Sequence, residues 1–549
     1  MELRFNFIYR TENEAKQTTE INNEDFSVAV SDSDGIISLT LKPNKKISFD
    51  KFEMTFDRQY KNTNRIFPNG YQSWTVSREY APKDKMDEFN PRKFGVEKKN
   101  FNFLGMWGAG DLTFHQYPEK GGIFYGYSYG YIRQGGDITL YGSLSERAGY
   151  TIITFDTNES TVNIEKDLEG VWFDGEKEVL SLAIIDGEYD NAFDKYFELM
   201  NIDKPKVKRS CGYTTWYNYY TGVTEDIVRR DLDSISKLDT KVDIFQIDDG
   251  YERTVGDWLY PDEKKFPTGM KAIADEIHSN NMLAGLWLAP FAATPKSYVF
   301  KKHRDWLVHD EKGRIHYASH NWGGFFALDI YNDEAREYIR NVFDTVLNVW
   351  GYDMVKLDFL YACCIIPIHG KSRGEIMCDA MDLLREVCGD KIILGCGVPL
   401  APAFGKVDFC RIGADVGLDW DKKPFSREDV STQNTLLNTV FRRHLDGRAF
   451  LNDPDVFLLR ESNLKMPLSQ REIIAEVNSL CGNLLFVSDD VAEYDAKQKQ
   501  IFTETVTRPK AKILSATIDI NDDISIDYSL NGENGDLTFN IKTGIKRIV

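Results

Sequence analysis

The chain has 549 residues, of which 42% are hydrophobic and 13% aromatic, and a formal net charge of −19. This length exceeds what one hydrophobic core accommodates, so two or three domains are predicted. The acidic balance disfavours nucleic acids and anionic membrane surfaces as partners, and no apolar run is long enough to span a bilayer. The first residues lack the apolar stretch of a secretory signal, and the eight cysteines are scattered. We therefore expect reduced thiols and a cytoplasmic protein.

Short alternating runs separated by turn signals occupy residues 1–190. They include Phe26–Val30, Ile36–Leu41, Gly122–Ile132 and Tyr150–Phe155. Many short strands without a helical period predict a β-sandwich as the N-terminal domain.

From residue 205 to 495, short apolar runs alternate with segments of helical period. The clearest helix covers Glu334–Trp350, with Asn332 or Asp333 as its cap and Gly351 at its end. Eight strands are predicted to begin near Cys211, Val242, Leu283, Met354, Ile392, Phe409, Ala449 and Leu484. Eight strand-then-helix units predict a (β/α)8 TIM barrel, with a doubly wound sheet as the rival architecture.

Residues 505–549 return to an alternating pattern around the turn-forming segment Asn531–Gly535. This pattern predicts a small antiparallel β domain. The whole chain is thus predicted to combine a β-sandwich, a central barrel and a C-terminal antiparallel sheet.

Aspartates stand at the predicted carboxyl ends of five of the eight barrel strands. They are Asp248, Asp249, Asp358, Asp415, Asp453, Asp455, Asp489 and Asp490. A barrel carries its active site at that end, and glycosidic cleavage requires two carboxyl groups beside the bond. Carbohydrate chemistry is therefore indicated. The structural alternative is that these aspartates cap the following helices.

Metal and thiol chemistry are weaker interpretations. Clustered aspartates can hold Mg²⁺, but no phosphate-binding glycine loop accompanies them. His316 and His320 have a helical spacing but lack the glutamate of the metalloprotease motif. Cys364 and Cys396 have no histidine placed to activate them. No metal and no cofactor are predicted.

The strand-end motifs resemble those of the α-galactosidases of glycoside hydrolase family 36, most closely the short bacterial type. The motifs follow in order along nearly the whole chain: Phe245–Tyr251, Lys356–Phe359, Gly395–Pro399, Arg411–Asp415 and Leu451–Asp455. Each motif alone is weak evidence for this resemblance, whereas five motifs in the same order are specific.

The resemblance implies roles for individual residues. Asp358 corresponds to the nucleophile and Asp415 to the acid/base. Asp248 and Asp249 would bind the O4 and O6 hydroxyls of galactose, and Lys356 and Arg411 other ring hydroxyls. The remaining implied binding residues are Cys396 and Gly397 near O2, Trp216 and Trp287 as walls, Trp74 over the barrel mouth, and Asp453.

One segment departs from the larger family members, which carry an arginine shortly before the Leu328-Asp329 pair. Here Asn321-Trp322-Gly323-Gly324 stands in that place. The short type resembles this chain in lacking the arginine. The polar contacts on that side of the sugar are therefore not predicted by the resemblance.

The resulting hypothesis is a retaining exo-α-galactosidase that acts on terminal α-galactosides by double displacement. Lys356, two residues before Asp358 on one strand, shares its face and together with Arg411 should lower the pKa of nearby carboxyls. An α-N-acetylgalactosaminidase or a galactosyl transferase remains an alternative within the family. A non-catalytic carbohydrate-binding protein is the alternative from another class. A monomer or a small homo-oligomer is expected.

Overall fold

The computed structural model describes residues 2–86, 110–112, 114–118, 120–422 and 426–547. The N-terminal region folds into two packed antiparallel sheets. Its strands are β1 Arg4–Thr11, β2 Ala15–Thr18, β3 Phe26–Ser33, β4 Ile36–Pro43, β5 Ile47–Asp57, β6 Arg65–Pro68, β7 Ile123–Tyr127, β8 Tyr129–Gln134, β9 Asp137–Ser143, β10 Thr151–Asp156, β11 Thr161–Lys166, β12 Trp172–Phe173 and β13 Lys177–Glu188.

The strand order is β2-β1-β5-β11-β10-β7 in one sheet, with β12 also on β5, and β3-β4-β13-β9-β8-β6 in the other. Alternate side chains of both sheets are buried between them, as a sandwich requires. The prediction that Gly122–Ile132 forms one continuous strand is wrong. Ser128 has a φ of 68°, which breaks the run, so that β7 and β8 belong to different sheets.

The central region is a parallel barrel. Its strands are β14 Ser210–Thr214, β15 Ile244–Ile247, β16 Leu283–Leu288, β20 Met354–Leu357, β21 Ile392–Gly395, β22 Phe409–Arg411, β23 Leu451–Asp453, β24 Val456–Phe457 and β25 Leu484–Val487, and a small antiparallel sheet of β17 Ala292–Ala293, β18 Tyr317–Ser319 and β19 Phe325–Ala327 lies in its loops. The barrel strands are almost wholly buried, as expected for strands covered on both faces.

The seventh barrel strand consists of two pieces and closes the ring. Its first piece, β23, pairs with β22, and its second, β24, pairs with β25, which in turn pairs with β14. The two pieces are separated by Pro454 and Asp455, and Asp455 has a φ of 74°. This break directs the Asp455 side chain toward the strand-six end, where it accepts a hydrogen bond from Val416 N.

The helices follow the barrel strands as predicted. Those in the described ranges are α1 Tyr189–Met200, α2 Trp216–Tyr219, α3 Glu225–Ser236, α4 Met270–Ser279, α5 Tyr298–Lys302, α6 Asp333–Asp344, α7 Arg373–Cys388, α8 Leu400–Ala403, α9 Thr432–Phe441, α10 Leu468–Cys481 and α11 Ala496–Thr507. Helix α6 is capped by Asn332, whose side chain accepts from Ala335 N, but it is shorter than predicted, because Thr345–Val349 form a π turn. Among the described residues, the helices are too short or too polar to cross a membrane.

The C-terminal region is an antiparallel sheet of β26 Lys512–Ile518, β27 Asp523–Leu530, β28 Glu533–Asn540 and β29 Ile545–Arg547. Asn531 and Gly532 both have positive φ values at the β27–β28 turn, as a tight hairpin demands. Trp420 Nε1 donates to Ile541 O at 2.8 Å and ties this sheet to the barrel. The predicted fold class is confirmed, while the domain limits 1–190, 205–495 and 505–549 remain proposals.

Arg442 joins the sandwich to the barrel. Its guanidinium is fully buried and donates to Ser73 O and Ile412 O at 2.7 and 2.9 Å. It also donates to Gln72 O at 3.1 Å and to Asn69 Oδ1 at 3.2 Å. The segment before Trp74 is thereby fixed over the carboxyl ends of the barrel strands.

Candidate active site

A pocket opens at the carboxyl ends of the barrel strands, where a barrel places its chemistry. Its volume is about 370 Å³. Residues from the strand ends, the loops and the sandwich line it: Trp74, Trp216, Asp248, Asp249, Trp287, His320, Asn321, Trp322, Lys356, Asp358, Phe359, Asp415, Ser426, Glu428, Asp429 and Val430. We call this the main pocket. Eight of the predicted site residues therefore meet in one cavity.

Asp358 follows β20, and both of its carboxylate oxygens are held. Oδ1 accepts from Phe359 N at 2.9 Å, and Oδ2 accepts from Trp287 Nε1 at 3.1 Å. Burial raises the pKa of Asp358, the Lys356 charge and the Trp287 hydrogen bond oppose that rise, and the Asp415 charge adds to it. Lys356 thus acts in the predicted direction, but burial outweighs it. The carboxylate is oriented by two donors and stays available as a base or nucleophile.

Lys356 on β20 pairs with Asp248 after β15, although β16 lies between the two strands. Lys356 Nζ donates to Asp248 Oδ2 at 2.8 Å, and both side chains are buried. Gln246 Nε2 donates to the same oxygen at 2.9 Å, while Oδ1 accepts from Asp249 N at 2.9 Å. Burial alone would lower the pKa of Lys356, but the Asp248 charge raises it overall, so the ammonium stays protonated.

Asp249 is held by Trp322, which comes from the turn between β18 and β19. Trp322 Nε1 donates to Asp249 Oδ2 at 2.8 Å. Burial raises the pKa of Asp249 and, still more, that of neighbouring Glu252, whose Oε2 accepts from Gly250 N at 3.2 Å. The Asn321–Gly324 segment therefore supplies an indole donor to Asp249.

Asp415 follows β22 and shares one arginine with Asp455. Arg411 Nη2 lies 3.1 Å from Asp415 Oδ1 and 3.2 Å from Asp455 Oδ2. Asp455 Oδ2 also accepts from Tyr217 OH and, at 2.8 Å, from Val416 N. Burial raises the pKa of Asp455 to about 7. The Asp415 side chain is 32% exposed, so water reaches it from the pocket.

The other predicted binding residues do not line the main pocket. Arg411, Cys396 and Asp453 are buried to within 2% exposure, and Asp453 Oδ1 accepts from Asp455 N at 2.8 Å. Trp74 Nε1 donates to Cys396 Sγ at 3.3 Å, and a Cβ on Gly397 would lie 2.9 Å from the Trp74 ring. Cys396 and Gly397 therefore seat Trp74, and their contacts with a ligand remain a prediction.

Several lining residues were not predicted from the sequence. Phe359 packs between Trp74 and Trp322, with ring centroids 5.1 and 4.7 Å away. Its position directly after Asp358 in the sequence could have indicated that it lines the site. His320, Asn321, Ser426, Glu428, Asp429 and Val430 come from loops that carry no strand-end signal.

The aspartates after strand eight do not line the main pocket. Asp489 is fully buried, pairs with Arg460 at 2.8 Å and accepts from Tyr494 OH at 2.6 Å. Asp490 caps a short turn by accepting from Ala492 N. Within the described ranges, no group of three or more His, Cys, Asp or Glu side chains is arranged to hold a metal ion.

The central region of the chain is similar in sequence to known α-galactosidases. Residues 206–370 match the Melibiase family model. An α-galactosidase of Lactobacillus acidophilus is 29% identical over 153 residues, which cover 26% of this chain and 19% of the relative. An α-galactosidase of Escherichia coli is 28% identical over 205 residues, which cover 34% of this chain and 27% of the relative. The matched segments span less than a third of either curated relative.

Solved structures extend the similarity to the whole chain. The Thermus thermophilus α-galactosidase in complex with p-nitrophenyl α-D-galactopyranoside has a TM-score of 0.71 and 24% identity, covering 97% of this chain and 98% of that one. Its complex with stachyose has a TM-score of 0.70 and 25% identity, covering 91% and 97%. The family 36 α-galactosidase of Geobacillus stearothermophilus has a TM-score of 0.61, 11% identity and coverage of 95% and 80%. The resemblance to family 36 is confirmed.

Proposed function

We propose that this chain, which carries a melibiase domain and the fold of the family 36 α-galactosidases, is a retaining exo-α-galactosidase. The observation that carries the proposal is that Asp358, fixed through both oxygens, and Asp415, held through one oxygen, line the same pocket. Two carboxyl groups with such different surroundings suit the two roles of glycosidic cleavage.

The first step requires an ionised Asp358 and a protonated Asp415. Asp358 attacks the anomeric carbon while Asp415 gives its proton to the glycosidic oxygen, so the C–O bond to the aglycone breaks and a glycosyl ester forms. Because Arg411 donates to Oδ1 of Asp415, the proposal places the transferable proton on Oδ2. The Trp287 and Phe359 donors to Asp358 stabilise its carboxylate before attack.

The second step reverses the proton transfer. Asp415, now a carboxylate, takes a proton from water, and the water oxygen attacks the anomeric carbon. The ester bond to Asp358 breaks, and galactose leaves with its original α configuration. The 32% exposure of Asp415 supports access of this water.

The acceptors at one end of the main pocket suit galactose. Asp248 and Asp249 are adjacent buried carboxyls fixed by Lys356 and Trp322. Carboxylates oriented in this way accept hydrogen bonds from neighbouring hydroxyls such as O4 and O6. The close packing of Trp74 on Cys396 and Gly397 leaves little room for a 2-acetamido group and supports galactose over N-acetylgalactosamine.

The experiment is to follow p-nitrophenyl α-galactoside hydrolysis by ¹H NMR and to compare it with the 2-acetamido analogue. We expect α-galactose as the first product and preference for the galactoside. First formation of β-galactose would contradict the retaining mechanism. Preference for the analogue would favour an α-N-acetylgalactosaminidase, and sugar binding without turnover would favour a binding protein. Product transfer to added sugar in place of water would favour a transferase.

A further inference from the structure

Glu252 is a buried carboxyl that contacts Asp249 but does not line the main pocket. Gly250, with a φ of 115°, turns the chain after β15, and its N–H donates to Glu252 Oε2 at 3.2 Å. The turn brings the Glu252 side chain back to Asp249, and the two carboxyls are hydrogen-bonded to each other. The two steps of the proposed mechanism make no use of Glu252, so its place beside a pocket carboxyl requires a separate explanation.

A hydrogen bond between two carboxyls requires that one of them carries a proton. Burial, followed by the charge of Asp249, raises the pKa of Glu252 well above its ordinary value. Burial and the charges of Asp248 and Asp358 also raise the pKa of Asp249, but the hydrogen bonds from Glu252 and Trp322 oppose that rise. The shared proton therefore belongs to Glu252, and the negative charge belongs to Asp249.

The groups packed around Glu252 favour its neutral form. Tyr251 is fully buried, and the charge of an ionised Glu252 would face its uncharged phenol. The ammonium of Lys265 is directed to the backbone of the turn, where it donates to Gly250 O at 2.9 Å and to Thr221 O at 2.6 Å. The Glu252 carboxyl is thus surrounded by buried groups and by a second carboxyl.

A neutral acid at this position supplies a hydrogen-bond donor without adding a positive charge. A hydrogen bond from a carboxylic acid to a carboxylate is short and strong. Trp322 Nε1 already donates to Asp249 Oδ2 at 2.8 Å, so a second donor from Glu252 fixes the orientation of the Asp249 carboxylate. Apolar surroundings are known to keep a carboxylic acid neutral at pH 7 so that it donates a hydrogen bond in an enzyme site.

We propose that Glu252 is a positioning residue that stays protonated and holds Asp249 as the charged acceptor for a galactose hydroxyl. The inference rests on the proposed function and deepens it, because it adds a residue that acts on the sugar through Asp249. It also gives sugar binding an alkaline limit. When Glu252 loses its proton, the donor is lost and the new charge repels Asp249, so galactose binding weakens.

The test measures the inhibition constant of galactose against p-nitrophenyl α-galactoside hydrolysis, from neutral to alkaline solution. For the wild type we expect this constant to rise as Glu252 ionises. Glu252→Gln keeps a donor in its amide N–H, so the constant at neutral pH should stay within about twofold of the wild type, and the part of the alkaline rise that comes from Glu252 should disappear. Glu252→Met has no donor, and the constant should rise about tenfold already at neutral pH.

Glu263→Gln is the matched control, because it makes the same change at an exposed glutamate of the same loop. Its inhibition constants should match those of the wild type throughout. Thermal unfolding of each variant shows whether it is folded. If Glu252→Met does not fold, the pH profile of Glu252→Gln decides the question alone.

The possible outcomes separate the role of Glu252 from the proposed function. Galactose binding by Glu252→Gln that is as weak as in Glu252→Met would show that Glu252 acts as a charged carboxylate and would overturn the inference. A full alkaline weakening in Glu252→Gln, or wild-type binding by a folded Glu252→Met, would also overturn it. A wild-type chain that hydrolyses no α-galactoside would overturn the proposed function, and the role of Glu252 in sugar binding with it.

Discussion

At Asp358, burial and the positive charge of Lys356 act in opposite directions. Burial disfavours the charged carboxylate and raises its pKa, whereas the ammonium favours the charged form. The proposed mechanism needs the charged form for attack. The position of the acidic limb of the pH–activity profile should therefore depend on Lys356.

Lys356→Met should move that limb to higher pH. Without the ammonium, Asp358 loses a group that stabilises its carboxylate, so its pKa rises further and deprotonation requires more alkaline solution. We expect a shift of about one pH unit in kcat/KM. A pH profile of p-nitrophenyl α-galactoside hydrolysis measures it.

Lys371→Met is the matched control, because Lys371 pairs with Glu375 and Asp379 outside the main pocket. Its profile should match that of the wild type. A Lys356→Met limb that stays in place or moves to lower pH would contradict the assigned interaction.

At the scale of elements, the turn between β18 and β19 positions Trp322. Trp322 has a φ of 55°, and the glycines at 323 and 324 also have positive φ values. This local conformation aims the indole N–H at Asp249. The turn therefore supplies Asp249 with a rigid hydrogen-bond donor.

Trp322→Phe should weaken galactose binding while the aromatic wall persists. Asp249 would lose one hydrogen-bond donor, and a lost hydrogen bond to a charged group is worth about 1.5–3 kcal/mol. We expect KM for p-nitrophenyl α-galactoside to rise about tenfold or more, since each 1.4 kcal/mol is tenfold. Steady-state kinetics provide the measurement. An unchanged KM would show that Trp322 does not support the sugar through Asp249.

Sequence periodicity predicted the barrel strands to within about two residues because each is a short, buried apolar run bounded by polar residues. The two pieces of strand seven were not predicted, since Pro454 and Asp455 interrupt a pattern too short to reveal a break. The role of Trp322 could also not be predicted from the sequence, because hydrophobic periodicity does not indicate where a non-glycine residue adopts a positive φ. Loop residues such as Glu428 could not be predicted to line the pocket, because the sequence does not show where a long loop lies in the fold.

At the scale of the molecule, the sandwich completes the pocket through Trp74. Ser73 N donates to Val398 O at 2.9 Å, and Arg442, at the end of α9, donates to the carbonyl oxygens of Gln72 and Ser73. The barrel alone would lack this wall. Sandwich and barrel should therefore contribute together to activity.

Arg442→Met should lower both stability and activity. Several buried carbonyls would lose their donor, and each unsatisfied buried group costs about 1–3 kcal/mol. We expect a loss of unfolding free energy of about 3 kcal/mol or more, together with a lower kcat/KM because Trp74 is no longer fixed. Thermal unfolding and kinetics of the folded fraction measure the two effects.

Arg448→Met offers a comparison, since Arg448 pairs with Asp190 and Asp194 away from the main pocket. It should leave kcat/KM unchanged. Equal activity of Arg442→Met and the wild type would show that Trp74 does not depend on this attachment.

The central claim is that Asp358 forms the glycosyl ester and Asp415 transfers the proton. A fluorinated α-galactosyl fluoride that forms the ester but releases it slowly should label the chain once, and mass spectrometry of the peptides locates the label. The account predicts a label on Asp358 in the wild type and its absence in Asp358→Asn, while Asp490→Asn, which changes a strand-end aspartate outside the main pocket, is labelled normally. A label on Asp415 or elsewhere, or normal labelling of Asp358→Asn, would contradict it.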